Sequence, residues 1–420
     1  MKKMAAGLVL VCMTAWCLGG CAKNPAQEVK NEVTYPTEIS DDDWEKKQAY
    51  WEENEVDETF LNNQKIFAFK TAQNLLAGRT ENGIYSPVGF YYALTLAVSG
   101  TAGETAGELY DFLECTDRDT ALSEAGKLYR ILYEDGDIGK LHIATSLWVD
   151  KKVNLKEEFK KNAQTQLYAS SHLVDFSDEA VYRQMGDWVK EQTKGTIAPE
   201  FKPVPEQVMS ILNTVYFYDQ WIDKFNKSAT KKDVFHMADG SGKETDFMNG
   251  LFGSHGFSRG GNFTRSSLPL KGNSSMVFVL PEEGVSVEEF LKSPETLQEA
   301  LEGGNSHMGE VTFKVPKFAM DSSFDLKKMM ESMGISKIFA DGDFSAMTDD
   351  DGICVNKISQ DGHISINEKG VEASAFTQID YAGASVPDGK AEMILDRPFL
   401  YGIQNQGVWV FIGICDNPGQ

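Results

Sequence analysis

Two periods of apolar spacing divide this chain into helices and strands. From Asp57 to Leu76, Ile66, Phe69, Ala72 and Leu76 recur at helical spacing, with Gly78 beyond as a stop signal. Asn82 to Pro87 reads as a short strand running into a helix, where Ser86 can cap and Pro87 suits the first turn. That helix would carry Tyr91, Leu94 and Val98. Another, starting near Thr101, would bury Leu109, Phe112 and Leu113. Leu141–Val149 reads as a strand, followed by a helix near Lys156. Ser177 is placed to cap a helix with Val181, Met185, Trp188 and Val189 on one face, closed by Gly195. Ile211–Phe217 is an apolar strand with one polar intruder, Asn213, and a buried Asn needs hydrogen-bond partners. Met276–Leu280 is continuously apolar, as in a buried strand, and Val311, Phe313 and Val315 alternate in another. Leu326, Met329, Met330 and Met333 form a helical stripe ending at Gly334, and Val408–Cys415 is the last apolar strand. No internal repeat is evident, and the mixture points to one large α+β domain.

One stretch fits neither period. Ile364 and Ile366 alternate with polar residues as a strand, and then Glu368 to Phe399 runs on with no helical spacing. Gly383, Pro387 and Gly389 punctuate its far end. Loops of this length inside a compact domain are usually functional or disordered. In this one, Val371, Ala373, Ala375, Thr377, Ile379 and Tyr381 would share one strand face. Glu372, Ser374, Phe376, Gln378 and Asp380 would share the other. The first face is mostly apolar and the second mostly polar, so the loop is written as a half-buried strand.

The run Asn367-Glu368-Lys369-Gly370-Val371-Glu372-Ala373-Ser374-Ala375-Phe376-Thr377 resembles the hinge of the serpins, and Arg397-Pro398-Phe399 before an apolar strand resembles their ending. The order strand, Ser-Pro, helix, Gly-Thr-Ala-Gly-Glu-Thr resembles the serpin N-terminal region, and Tyr218 to Phe225 the segment after a central strand. The resemblance runs from about Phe67 to Pro418. It implies the serpin fold: three β-sheets, about eight or nine helices, and an exposed reactive-centre loop at about 370–393 that can enter the main sheet. It implies a hinge at Glu368, Gly370, Val371, Glu372, Ala373, Ser374, Ala375 and Thr377, and a breach residue, Trp221, at the top of the sheet. A latch of Ser86, Asn213 and the residue at 360 would hold the central strands. The family usually has a His there; this chain has Gln360, which replaces the hydrogen bonds but not the pH response. Gly89 stands where a Ser is common. Phe376 is bulkier than the hinge preference and is expected on the solvent-facing side of the inserted strand.

Charge and the N-terminus add a setting. The balance is −23, and −25 once a leader carrying Lys2 and Lys3 is removed. No Lys/Arg-rich run is present, so nucleic acid is an unsuitable partner, whereas basic proteins would be steered toward the chain. Residues 1–20 read as a signal, with an apolar core too short to span a membrane. Leu18-Gly19-Gly20-Cys21 resembles a bacterial lipobox, which would make Cys21 an acylated residue and place the protein on a membrane, outside the cytoplasm; the alternative is ordinary secretion, with Cys21 incidental. Residues 21–56 are acidic and sparse in apolar side chains, as in an extended tether, though Trp44 and Trp51 sit seven apart as on a short helix. The domain proper would then be 57–420. Cys115, Cys354 and Cys415 form neither a disulfide framework nor a zinc pattern.

The chemistry of an enzyme is not in view. There is no Gly-x-Ser-x-Gly elbow, P-loop, dinucleotide fingerprint or H-E-x-x-H, and the six histidines are scattered. No cofactor or metal is expected. The resemblance implies a monomeric inhibitor of serine proteases that acts as a suicide substrate. Family spacing from Glu368 places the scissile bond at Ala384-Ser385, with Tyr381, Ala382 and Val386 as alternatives. A small residue there suits elastase-like proteases, and Tyr381 would suit a chymotrypsin-like one. The second expectation is a serpin-fold module that binds or adheres without inhibiting.

Overall fold

The computed structural model describes residues 33–37, 39, 43–204, 206–371 and 389–419. Its helices are α1 (Trp44–Glu53), α2 (Glu58–Leu76), α3 (Pro87–Ser99), α4 (Gly103–Leu113), α5 (Arg118–Leu132), α6 (Glu157–Thr165), α7 (Ala180–Gln192), α8 (Pro294–Glu302) and α9 (Leu326–Ser332). The strands begin with β1 (Gly83–Tyr85), β2 (Glu134–Asp135), β3 (Lys140–Asp150), β4 (Ala169–Val174), β5 (Met209–Gln220), β6 (Lys231–His236), β7 (Gly242–Arg259) and β8 (Phe263–Pro269). They continue with β9 (Ser274–Pro281), β10 (Asn305–Pro316), β11 (Phe318–Asp325), β12 (Lys357–Asn367), β13 (Gly370–Val371), β14 (Gly389–Ile394), β15 (Phe399–Asn405) and β16 (Val408–Cys415).

Two hydrogen-bonded sheets organise these strands. One runs β11-β12-β13-β5-β3-β2, with β4 on β3; the other runs β1-β16-β15-β9-β8-β7-β10-β14, with β6 on β7. The three sheets expected from the sequence appear as two because the long β7 pairs with β6, β10 and β8 and so joins two groups of strands. Between the sheets lies α3, with every residue from Pro87 to Ser99 buried. A helix that is apolar all round belongs in a core, and this one packs against α2, β5 and β16. Ser86 caps it, its hydroxyl accepting from the Gly89 N–H at 3.2 Å, with Pro87 in the first turn. Such a cap is worth about 1 kcal/mol.

The structure departs from the sequence reading in three local places. On α2, Ile66 is exposed, while Phe60, Phe67 and Ala68 are buried; the stripe facing the core is rotated away from Ile66. Ser177 does not cap α7, which starts after Glu179 with no side-chain cap. Its hydroxyl bonds Asp175 instead. The segment expected to run as an extended spacer touches the body instead, while the short helix anticipated at Trp44 and Trp51 is present as α1. Tyr35 stacks on Tyr133 with ring centroids 5.6 Å apart and donates to Gln192 at the end of α7. Tyr50 donates to the Arg130 carbonyl, and Asn54 and Val56 are buried. Aromatic rings give an otherwise polar segment enough apolar area to dock. No helix among the described residues is long and apolar enough to cross a membrane.

Candidate functional site: the hinge, the breach and the latch

The centre of the first sheet is a fork. β5 and β12 run parallel and pair directly from Lys357↔Ser210 up to Asp361↔Thr214, where the ladder ends. At the top of the fork, β13 sits between them, antiparallel to both. Val371 lies opposite Ile366 of β12 and Asp219 of β5, and Gly370 opposite Asn367 and Gln220. Two hinge residues therefore already occupy the position of an extra strand, and Val371 is buried in the core.

The turn that brings β13 back beside β12 is tied on every side. The Trp221 N–H donates to the Lys369 carbonyl at 3.0 Å, and its indole N–H to the Asn367 carbonyl at 2.9 Å. The Phe225 N–H donates to the Glu368 carbonyl, and the Lys369 N–H to Asn367 Oδ1. Glu368 accepts from the Thr230 hydroxyl at 2.9 Å and pairs with Lys317 at 3.2 Å. Burial alone would raise its carboxyl; the bonds from Thr230 and Lys317 hold it below the ordinary range. Gly370 is required by space, because a Cβ there would overlap the Asp219 carbonyl oxygen and lie 2.6 Å from the Gln220 Cα. Trp221, expected at the top of the sheet, is buried there and bridges to Leu270.

Six residues along β12 from the Ile366–Val371 pair, the three latch positions meet. The Ser86 N–H donates to Gln360 Oε1 at 2.8 Å, and Gln360 Nε2 donates back to the Ser86 carbonyl at 2.8 Å. The same amide reaches Asn213 Oδ1 at 3.4 Å, and Asn213 Nδ2 donates to the Thr145 hydroxyl at 3.0 Å and the Ala144 carbonyl at 3.3 Å. One chain of bonds thus links the start of α3 to β12, β5 and β3, all of it buried. The glycine at 89 follows from what packs over it: a Cβ there would overlap Asn213 Oδ1 and lie 2.7 Å from Val215, with Gln360 Nε2 next at 3.1 Å.

Two buried carboxyls near the fork were not among the sequence candidates. Asp219 continues the inward-facing series Asn213, Val215, Phe217 and accepts from the Gln220 N–H at 2.7 Å and the Gly272 N–H at 3.0 Å. Burial pushes its carboxyl up to about 7 despite those donors. Asp361 lies on the opposite sheet face, bonded to Ser323 of β11, and burial raises it too. For Asp219 the signal was a charged residue at the end of a mostly apolar strand, whereas Asp361 sits among Ser359, Gln360 and His363 and had none. Glu372, Ala373, Ser374, Ala375, Thr377, the scissile candidates Ala384 and Ser385, their alternatives Tyr381, Ala382 and Val386, and Cys21 lie outside the described residues.

A family model described as Serpin (serine protease inhibitor) matches residues 62–418. The chain belongs to the serpin family. Serpin-ZX of Arabidopsis thaliana is 27% identical over 366 residues, covering 81% of this chain and 93% of that protein. The native-state structure of the thermophilic serpin tengpin covers 93% of this chain and 100% of its own, with a TM-score of 0.78 and 23% identity. Human thyroxine-binding globulin, in complex with its hormone, gives a TM-score of 0.76 at 24% identity, with 86% and 100% covered. At these identities the two structures speak for the fold alone, and the fold serves proteins with different tasks.

Proposed function

We propose that this serpin inhibits serine proteases as a suicide substrate, offering Ala384-Ser385 to elastase-like enzymes. The observation that carries the reading is the fork: Gly370 and Val371 already form a strand between β5 and β12, antiparallel to both. The protease serine oxygen attacks the Ala384 carbonyl carbon, the Ala384–Ser385 C–N bond breaks, and Ser385 leaves as a free amine. What remains is an ester joining protease and serpin. The freed loop then continues the strand that Val371 begins, carrying the protease with it before water can cleave the ester. Residues 371–384 would reach about 46 Å as a strand. The acidic balance favours basic proteases through steering, an effect that salt weakens. A lipid on Cys21 would hold the protein at a bacterial membrane, facing outward as a monomer.

Mixing the protein with elastase should give a complex that survives denaturing electrophoresis. Extending the β13 register brings residue 377 level with Asn213 and Gln360, on the buried face that touches Ser86. An arginine there would bury an unpaired charge, at a cost of several kcal/mol. Thr377→Arg should therefore be cleaved without forming the complex, as should Ala375→Arg. An unchanged complex yield in Thr377→Arg would sink the insertion mechanism. Mass analysis of the released C-terminal fragment tests the bait, and a first cut outside Tyr381–Pro387 would move it.

A further inference from the structure

The segment before α2 and the body together enclose a cavity of about 320 Å³, at the small end of the range for ligand sites. Its body wall is made by the end of α5, the β2–β3 hairpin and two turns, at 271–273 and 405–406. Residues 36, 37 and 39 and one face of α1 close the other side. Among the described residues, none of the hinge or latch positions lines it.

The walls are held in place without a ligand. Gln406 and Gly407 turn β15 into β16 with left-handed backbone, φ 49° and 83°, and the Gln406 amide donates to the Ile131 carbonyl at 3.0 Å. That bond fixes one turn to the end of α5. The carboxylate of Glu134 closes over Gly272 of the other turn, where a Cβ would lie 2.7 Å from both of its oxygens. Across the cavity, Tyr50 donates to the Arg130 carbonyl and Arg130 Nε donates to Asn54 Oδ1. These bonds pin α1 on both sides of Trp51.

Three features of the lining define what would fit. Asn405 is 3% exposed, and its Nδ2 donates to Ser274 Oγ at 2.8 Å and to the Gly272 carbonyl at 3.3 Å. Its Oδ1 is left buried with no hydrogen-bond partner among the described residues. A buried acceptor without a donor is costly, so a ligand bringing a hydroxyl or amide proton would be favoured. The charges of the lining are balanced: Lys47, Arg130 and Lys271 stand against Glu134, Asp135 and Asp137. On a chain of net charge −23, such a neutral lining attracts neither anions nor cations. Trp51 and Ile138 also line the cavity yet stay 46% and 49% exposed, which gives it an apolar rim and an indole face.

We propose that this cavity binds a neutral saccharide, with one sugar ring lying against Trp51 and a hydroxyl donating to Asn405. The C–H face of a pyranose is apolar and packs on an indole. Its hydroxyls both donate and accept, which matches a lining of amides, carboxylates and cationic side chains. This activity is separate from protease inhibition and needs none of the residues of the fork.

The test is calorimetric titration of the full chain with two uncharged disaccharides, cellobiose and N,N′-diacetylchitobiose, followed in parallel by tryptophan fluorescence. At least one should bind with a Kd below about 1 mM. Trp51→Ala, at an exposed position, should weaken that binding by about tenfold or more. Trp44→Ala, on the same helix and 70% exposed but outside the cavity lining, should leave it unchanged. Asn405→Ala should weaken it as well, and the Trp51→Ala and Trp44→Ala pair decides the matter if that buried change disturbs the turns. No binding of either sugar up to about 10 mM, or equal losses in Trp51→Ala and Trp44→Ala, would overturn the proposal. Tighter binding of a sulfated monosaccharide or of spermidine than of both neutral sugars would overturn it too.

Discussion

Gln360→Ala removes the amide that joins α3 to the centre of the sheet. In the native state that amide makes two bonds of 2.8 Å to the Ser86 backbone and one of 3.4 Å to Asn213. The Ser86 carbonyl keeps a second partner, the Phe90 N–H, but the Ser86 N–H loses the acceptor at Gln360 and stays buried. An orphaned buried donor costs about 1–3 kcal/mol, and each of the other lost bonds contributes about 1. The variant should therefore lose about 3 kcal/mol, a large part of the roughly 5–15 kcal/mol typical of a folded domain. The loss falls where the closed rungs stand, so the sheet should also part more readily without cleavage. Two assays follow: the urea unfolding midpoint by tryptophan fluorescence, and native-gel mobility during days at 37 °C. The expected result is a lower midpoint together with slow conversion to an inactive or oligomeric form. A midpoint within about 0.5 kcal/mol of wild type, with native mobility unchanged, would refute the latch. Because glutamine does not titrate, the difference between the two proteins should be the same at pH 6 and pH 8.

Gly89→Ala gains helix propensity of about 1 kcal/mol but forces a Cβ onto Asn213 Oδ1; overpacking of this kind costs about 1–3 kcal/mol. The thermal midpoint should fall, and a rise would show that the latch has slack. Asp219, pushed up to about 7 by burial, binds its proton more tightly folded than unfolded. Its contribution is complete below the ordinary carboxylate pKa and is lost as pH climbs to about 7, by at most about 4 kcal/mol. Asp219→Asn should match wild type near pH 4 and exceed it at pH 8 in unfolding midpoint. A variant weaker than wild type at pH 8 would mean that the Gln220 and Gly272 N–H donors outweigh burial.

The sequence carried what depends on periodicity and on motifs. Val408–Cys415, the start of α3 at Ser86-Pro87, and the meeting of Ser86, Asn213 and Gln360 were all legible. What escaped depends on which element lies over which. Ile66 satisfies the helical period yet faces solvent, because α2 turns Phe60 and Phe67 inward instead. Gly89 read as a missing serine, although its reason is the close approach of Asn213 and Val215, on a strand far away in the chain.

The insertion proposed above would fall into two stages with different energetics. In the first, Ala373, Ser374 and Ala375 would enter between strands already parted, each gaining backbone bonds on both sides and breaking none. Each such bond nets about 0.5–1.5 kcal/mol against roughly 1–2 kcal/mol for ordering a residue, which leaves this stage near balance and reversible. In the second, each residue from 376 to 380 would replace a rung of the β5–β12 ladder. That ladder runs only from Lys357 to Asp361, and its loss is repaid by two new neighbours for each strand residue that enters. The barrier would therefore stand at the boundary between the stages, where the closed ladder begins and the Gln360–Asn213 bond ties β12 to β5. A substitution at 373 or 374 that stays small should alter the early equilibrium and spare the outcome. Substitutions at 377 or 360 should change which of the two proposed fates, trapped protease or spent substrate, the cleaved loop reaches.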